Sequence, residues 1–353
     1  DPSAMFYNPA GLALLEGTQL YVGGTIIAPI GTFYGTDPYP GYGVEERQTY
    51  QFFPPPNLYL SHRLDEKFVL GIGLTSPFGL GTAWHHPHTF TGRYVSTKTD
   101  LTALSLTPTV GYKASDKFSV GLGLEYRFST LLLERRVGAL NPNDSQVHDV
   151  AKAKLESDWN SGLGFNLGML YQASDKVSLG LAYRGGIKID YTGVAEFDQI
   201  LTGDAFMDAQ VASMLDDGKA DLTTSIDFPG SITGGVAYMV NPETLVELDL
   251  NFTMWSSFER LETEGLADDP DSSLEDIVVE ENYEDTITIR LGAEHMYSDL
   301  LTLRAGYLWD QGPAPAASVS PLLPDADRNG FTVGAGIDLG TVTVDWALMY
   351  LKF

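Results

Sequence analysis

The sequence predicts an all-β fold, a transmembrane antiparallel β-barrel. Three observations predict it. First, six short polar turns alternate with six long, acid-rich connections. The turns are residues 63–67, 114–117, 173–176, 240–243, 297–299 and 339–341; the connections are about 30–50, 77–99, 129–158, 195–225, 256–283 and 311–329. Short connections on one side of a sheet and long ones on the other mark outer-membrane barrels. Second, the segments between them alternate with period two, and the face opposite the apolar one carries Glu, Asp and Arg at mid-strand. A soluble sandwich buries that second face, whereas a wide barrel leaves it polar. Third, mean hydropathy is near zero, and no apolar run approaches the ~18 residues of a membrane-spanning helix.

Thirteen strands follow in order: about 17–29, 50–64, 67–77, 100–114, 116–135, 155–173, 175–194, 225–240, 243–256, 285–297, 300–311, 329–339 and 341–352. In the fifth, Val120, Leu122, Leu124, Tyr126 and Phe128 face lipid, while Gly121, Gly123, Glu125 and Arg127 face the lumen. The ninth sets Val246, Leu248, Leu250, Phe252 and Met254 against Glu247, Asp249 and Asn251. The tenth and twelfth repeat the pattern. Tyr112, Tyr171, Tyr238 and Tyr297 share outward parity just before short turns, which predicts an aromatic girdle on the periplasmic side. Single-chain barrels have even strand numbers, so an odd count predicts that one strand is misread or that the sequence stops one strand short. Strand parity also argues against Phe353 as a natural terminus.

Acidic residues number 47 against 21 basic ones, a net charge of −26. That argues against nucleic acid as a partner. Much of the acid lies in loops: Glu45-Glu46, Asp216-Asp217, Asp268-Asp269, Asp271, Glu275-Asp276, Glu280-Glu281 and Glu284-Asp285. Two readings stay open, solvated loops or divalent cations bridging to lipopolysaccharide phosphates. With no cysteine, disulfides, thiolate zinc sites and Cys nucleophiles are excluded. No signal peptide is present, so a processed or trimmed chain is expected.

Several segments carry a resemblance. Residues 5–13 read Met5-Phe6-Tyr7-Asn8-Pro9-Ala10-Gly11-Leu12-Ala13. Further on stand Thr75-Ser76-Pro77-Phe78-Gly79-Leu80-Gly81-Thr82, Thr253-Met254-Trp255-Ser256-Ser257-Phe258, and Leu303-Arg304-Ala305-Gly306-Tyr307 followed by Asp310-Gln311-Gly312-Pro313 and Leu323-Pro324-Asp325-Ala326-Asp327-Arg328. In order and spacing these resemble the FadL/TodX family of outer-membrane transporters of hydrophobic compounds. The resemblance implies a 14-stranded barrel, one more than the sequence reading, with an N-terminal hatch. It implies that residues 1–16 are the remnant of that hatch and 17–353 the barrel. It also implies that both ends are trimmed relative to the family.

The candidate site residues fall in four groups. Asn8, Pro9 and Ala10 form the hatch motif, a plug contact near a wall opening or a simple turn into the barrel. Pro77, Phe78 and Gly79 interrupt the third strand: Pro cannot donate to a ladder and Gly permits a bend. They mark either a strand end or a lateral opening through which an apolar ligand leaves into the membrane. Arg135 and Arg136 resemble the family position that supplies a cation to the substrate pocket, and Asp310, beside Arg304, matches its acidic position. Each is a substrate-binding candidate or a lumen charge paired across the barrel, and Asp310→Ala is expected to weaken uptake without preventing assembly. Val279-Glu280-Glu281 occupies another part of the family's pocket and is acidic here, which keeps neutral hydrocarbons open. Met207, Val211, Met214 and Leu215 stand at helical spacing in 204–216, which predicts a loop helix that is simple packing or part of a capture groove. His85-His86-Pro87-His88 reads as a solvent loop, and no metal or other cofactor is expected.

The leading function is passive uptake of hydrophobic small molecules such as long-chain fatty acids, with monoaromatic hydrocarbons by the same route as the alternative. No energy source is expected. A structural or adhesin-type barrel is the competing class. An outer-membrane lipase would need a Ser–His pair held by a third group, and neither His62 nor His295 has a persuasive serine. Expected partners are the hydrophobic substrate, outer-membrane lipid with lipopolysaccharide, and the barrel-assembly machinery during biogenesis. A monomer is expected.

Overall fold

The computed structural model describes residues 1–37, 40–215, 218–265 and 277–353. Its elements in chain order are α1 (Ala4–Tyr7), a 3-10 helix (Pro9–Leu14), β1 (Thr18–Gly24), β2 (Thr32–Tyr34), β3 (Glu45–Arg47), β4 (Pro56–Arg63), β5 (Phe68–Ala83), β6 (Lys98–Ser115), β7 (Phe118–Asn141), β8 (Gln146–Ser157), β9 (Asn160–Ser174), β10 (Val177–Arg184), β11 (Ile187–Gln199), α2 (Ala205–Leu215), β12 (Lys219–Phe228), β13 (Ser231–Asn241), β14 (Thr244–Thr253), β15 (Arg260–Glu264), β16 (Ile277–Glu280), β17 (Thr286–Met296), β18 (Leu301–Asp310), β19 (Arg328–Asp338) and β20 (Thr343–Lys352).

Thirteen of these strands form an antiparallel wall in the order β1–β4–β5–β6–β7–β9–β10–β13–β14–β17–β18–β19–β20. Each overlaps one strand read from the sequence. Among the described residues no ladder joins β1 to β20, so these thirteen strands do not close on themselves. The predicted lipid face is outermost: Leu122, Leu124, Leu248 and Leu250 are exposed, while Glu125 and Arg127 on the opposite face are buried.

Three predicted loops contain strands, and the first of them, 129–158, is largely sheet. The upper part of β7 leaves β9 and pairs with β8; β8 then pairs with β11, β11 with β12, β12 with β15 and β15 with β16. Polarity inverts along β7. Its inward residues are Glu125 and Arg127 where β9 is the neighbour, then Leu131 and Leu133 where β8 takes over. Within the membrane the outside must be apolar. Above it, water meets the outside and the apolar face turns inward, giving a core of Ala153, Leu155, Ala195, Ala220 and Leu222 against Leu133 and Val137. The loop acids Asp216, Asp217, Asp268, Asp269, Asp271, Glu275 and Asp276 lie outside the described residues.

The N-terminal segment lies inside the wall. Met5, Ala10, Leu12 and Ala13 are almost fully buried. Inward glycines make room for it: an added Cβ would come within 2.2 Å of Pro9 at Gly121, 2.5 Å of Ala13 at Gly111 and 2.1 Å of Asn8 at Gly168. Wall side chains then hold its backbone. Ser119 Oγ donates to Ala10 O (3.1 Å), Asn166 Nδ2 to Met5 O (2.9 Å) and Arg63 Nε to Leu15 O (2.8 Å).

Candidate ligand-binding site

The third wall strand, β5, is the irregular one. It pairs with β4 only as far as Leu58↔Leu74, then runs on to Ala83 beside β6 alone. The β5–β6 register shifts between Thr75↔Ser105 and Phe78↔Ala103, one extra residue on β5. A one-residue bulge flips every later side chain to the other face. Unbroken parity would aim Phe78 at lipid; instead it packs inside against Phe228 (ring centroids 5.0 Å) and Trp255 (6.0 Å). On the β4 side, Pro54-Pro55-Pro56 offers no N–H for a ladder. Contact with the preceding segment resumes only near Gly81, where the Phe53 ring occupies the space a side chain would fill. The edge of β5 from Thr75 to Leu80 therefore has no ladder partner on the β4 side among the described residues.

Behind this edge lies a cavity of about 350 Å³. One wall is Pro77, Phe78, Gly79 and Leu80; another is Leu131, Leu133 and Leu155 of the β7–β8 extension. Phe228, Trp255, Phe258 and Tyr283 form an aromatic end. Leu322, Leu323 and Pro324 belong to the segment between β18 and β19, which roofs the cavity and is tied to the wall by Trp84 Nε1 donating to Pro321 O (3.1 Å). Most of the lining is apolar. It suits a hydrophobic ligand that orients by few polar contacts.

The charged candidates separate. Arg135 continues the inner face of Leu131 and Leu133, opposite Ala153, and lies just beyond Leu133, the last residue of β7 that lines the cavity. Its Nε is buried without an acceptor, and among the described residues it has no ion pair. Burial pushes its guanidinium below the ordinary arginine range. Arg136 has the opposite parity, and its Nη2 bonds His88 Nδ1 outside the cavity. That one-residue offset puts Arg135, not Arg136, on the inner face of β7. Asp310 accepts from Thr288 Oγ1 (2.7 Å) and pairs with Arg328 (3.2 Å), which lines the cavity. Arg304 pairs instead with Glu294 and Asp345, both at 2.6 Å. Asp310 thus offsets a cavity cation together with Asp325, which pairs with Arg328 Nη2 at 3.3 Å and also lines the cavity. We expect Asp310→Asn to raise affinity for a carboxylate ligand about threefold, as one exposed-type ion pair is worth ~0.2–1 kcal/mol, with titration as the check.

Two other groups lie apart from the cavity. Asn8 Nδ2 donates to Met169 O (3.1 Å) and Leu181 O (3.4 Å), and its Oδ1 accepts from Ala10 N (3.1 Å). Asn8, Pro9 and Ala10 therefore contact β7, β9 and β10. The loop helix is present as α2, and Met207 and Val211 pack on Val150 beside Val137, Ala139 and Leu215. Met214 is exposed, and none of the four lines the cavity, because α2 lies over the outer end of the β7–β8 hairpin. Three of these residues, Met207, Val211 and Leu215, make a packing contact in this structure.

Glu281 is the residue whose strength the sequence understated. It is 1% exposed and one carboxylate oxygen has no partner. Its backbone O accepts from Ser318 Oγ of the roofing segment (2.5 Å). Burial raises its carboxyl from the ordinary 4.5 to about 7 and also raises the neighbouring Tyr283 hydroxyl. The folded state then keeps a proton that the unfolded chain loses. Stability from this group is full below pH 4.5 and falls as pH rises towards 7. Glu281→Gln should remove that slope. Its advantage over the parent should grow across the window to about 3 kcal/mol and level off above it, as read by urea unfolding at several pH values.

Comparison with known proteins agrees with this architecture. The family profile described as outer membrane protein transport protein (OMPP1/FadL/TodX) matches residues 1–353. The chain belongs to the OMPP1/FadL/TodX family. It is 26% identical to the long-chain fatty acid transport protein of Escherichia coli O6:H1 over 375 residues, covering 96% of this chain and 80% of that one. A FadL homologue from Pseudomonas aeruginosa shares the fold with a TM-score of 0.79 at 21% identity, covering 100% of this chain and 86% of its own. The toluene transporter TodX of Pseudomonas putida gives 0.74 at 21% identity, with 98% and 87% covered. Family membership places the chain in the outer membrane, among transporters of fatty acids and aromatic hydrocarbons.

Proposed function

We propose that this protein takes up long-chain fatty acids by capturing them in the apolar cavity and releasing them sideways through the β5 gap. One observation carries the reading: the residues at the unpaired edge, Pro77 to Leu80, are also a wall of the cavity. A ligand there is already at the opening, and an apolar molecule gains by passing into lipid rather than into water. The Leu131–Leu133 row takes the alkyl chain, and Arg135 at its outer end takes the carboxylate by charge-assisted hydrogen bonds. No chemistry on the ligand is required, so the process is diffusion down a gradient.

A second reading has its own support. The edge-on rings of Trp255 and Tyr283 (5.8 Å) and of Phe258 and Tyr283 (5.1 Å) suit a monoaromatic hydrocarbon. Calorimetric titration of the purified protein with oleate, oleyl alcohol and toluene distinguishes the two. Saturable binding with oleate preferred to its alcohol supports the fatty-acid reading; preference for toluene supports the second. Binding of none of them overturns both.

A further inference from the structure

Beneath the cavity floor lies a charge network that hydrophobic packing does not require. Arg127 is 1% exposed, and its guanidinium carbon lies 4.8 Å from the Phe78 ring centre and 5.0 Å from that of Phe228. Both rings line the cavity. Nη2 donates to Glu125 Oε1 at 2.5 Å and Nε to Ser105 Oγ at 3.3 Å, but Nη1 has no acceptor. Glu125 is fully buried and already serves a second cation, since Arg184 Nη1 donates to its other oxygen at 2.8 Å. Arg184 is occupied on its far side, giving Nη2 to Phe6 O at 2.5 Å.

Two guanidinium groups thus share one carboxylate. A Glu125–Arg184 pair alone would be balanced. Adding Arg127 leaves a buried net positive charge and an unused donor, both costly unless an anion completes them. The guanidinium that carries the unused donor lies within 5.0 Å of the centres of two rings that line the cavity. Arg127 and Arg135 share the inward face of β7, eight residues and so roughly 26 Å apart along the strand, with Leu131 and Leu133 between them.

We propose that Arg127 is a second carboxylate station, closed by the Phe78 ring. It receives the head group of an anionic lipid as the ligand moves from Arg135 towards the β5 gap. The inference rests on the fatty-acid reading above and adds a residue to it. The bulge is what makes the station reachable: it turns Phe78 inward as a movable cover, where unbroken parity would have left Phe78 in lipid.

The test uses the full chain in liposomes, with assembly checked by heat-modifiable electrophoretic mobility. Arg127→Met removes the charge and keeps bulk, Arg127→Lys keeps the charge, and Arg127→Gln serves if the Met variant does not assemble. Expected for Met or Gln is oleate uptake slowed about tenfold, oleate affinity within about twofold of the parent, and toluene uptake unchanged. Lys should restore most of the oleate rate. Equal loss of oleate and toluene uptake would reduce Arg127 to packing and overturn the station. Unchanged oleate uptake would overturn it too, while leaving the capture reading intact. A parent that takes up toluene but neither binds nor takes up oleate removes the fatty-acid reading, and the station with it.

Discussion

Arg135→Met is expected to weaken oleate binding about tenfold to a hundredfold while leaving toluene binding unchanged. The magnitude is that of a charge-assisted hydrogen bond in a partly dry site, ~1.5–3 kcal/mol. The cation is unusual in having no protein partner among the described residues: its Nε is buried without an acceptor. Keeping an unpaired guanidinium out of water is destabilising. The Met variant should therefore melt at the same temperature as the parent or higher, which separates loss of a ligand contact from loss of structure. Arg135→Lys should fall between the two, since an ammonium keeps charge but not the planar fork that holds both carboxylate oxygens. Titration with oleate, oleyl alcohol and toluene reads all of this. An equal drop for all three ligands, or no drop for oleate, removes Arg135 from the site.

Gly79→Val is expected to slow release at least about tenfold while capture affinity stays within about twofold. Gly79 is exposed at the unpaired edge of β5 and lines the cavity. An added Cβ there meets only Leu101 O, at an ordinary 3.6 Å, so the strand tolerates a side chain and valine suits an extended backbone. The branched group then stands in the passage. Uptake into liposomes, compared with binding to the purified protein, separates the two steps. Equal uptake by variant and parent would favour a straight path through the lumen into the periplasm.

Wall strands were legible because a barrel in lipid imposes a strict rule on single residues. Leu122 and Leu124 had to be apolar and Glu125 could be polar, whatever their neighbours. The same rule hid the upper sheet. Where β7 leaves the membrane, the inside becomes the dry side, and Leu131 and Leu133 line a cavity from positions that parity alone assigns to a polar lumen. The hatch motif and the kink were also visible, since Asn8-Pro9-Ala10 and Pro77-Phe78-Gly79 restrict local backbone geometry wherever they occur.

Pairing was not visible. The sequence placed Asp310 beside Arg304, but across the strands Asp310 meets Arg328 and Arg304 meets Glu294 and Asp345. It placed Met207 and Val211 on one helix face without saying what covers that face, and Val150 of β8 does. One inserted residue in β5 decided which way Phe78 points, and a one-residue offset separated Arg135 from Arg136. Alternation within single strands was enough to set out the period-two wall, its lipid-facing side and the places where regular pairing fails. Which charges neutralise each other came from the folded register, as did the sharing of Glu125 by Arg127 and Arg184 and the lack of an ion pair at Arg135 among the described residues. Alternation is a local property of each strand, whereas charge balance depends on register between strands far apart in the chain.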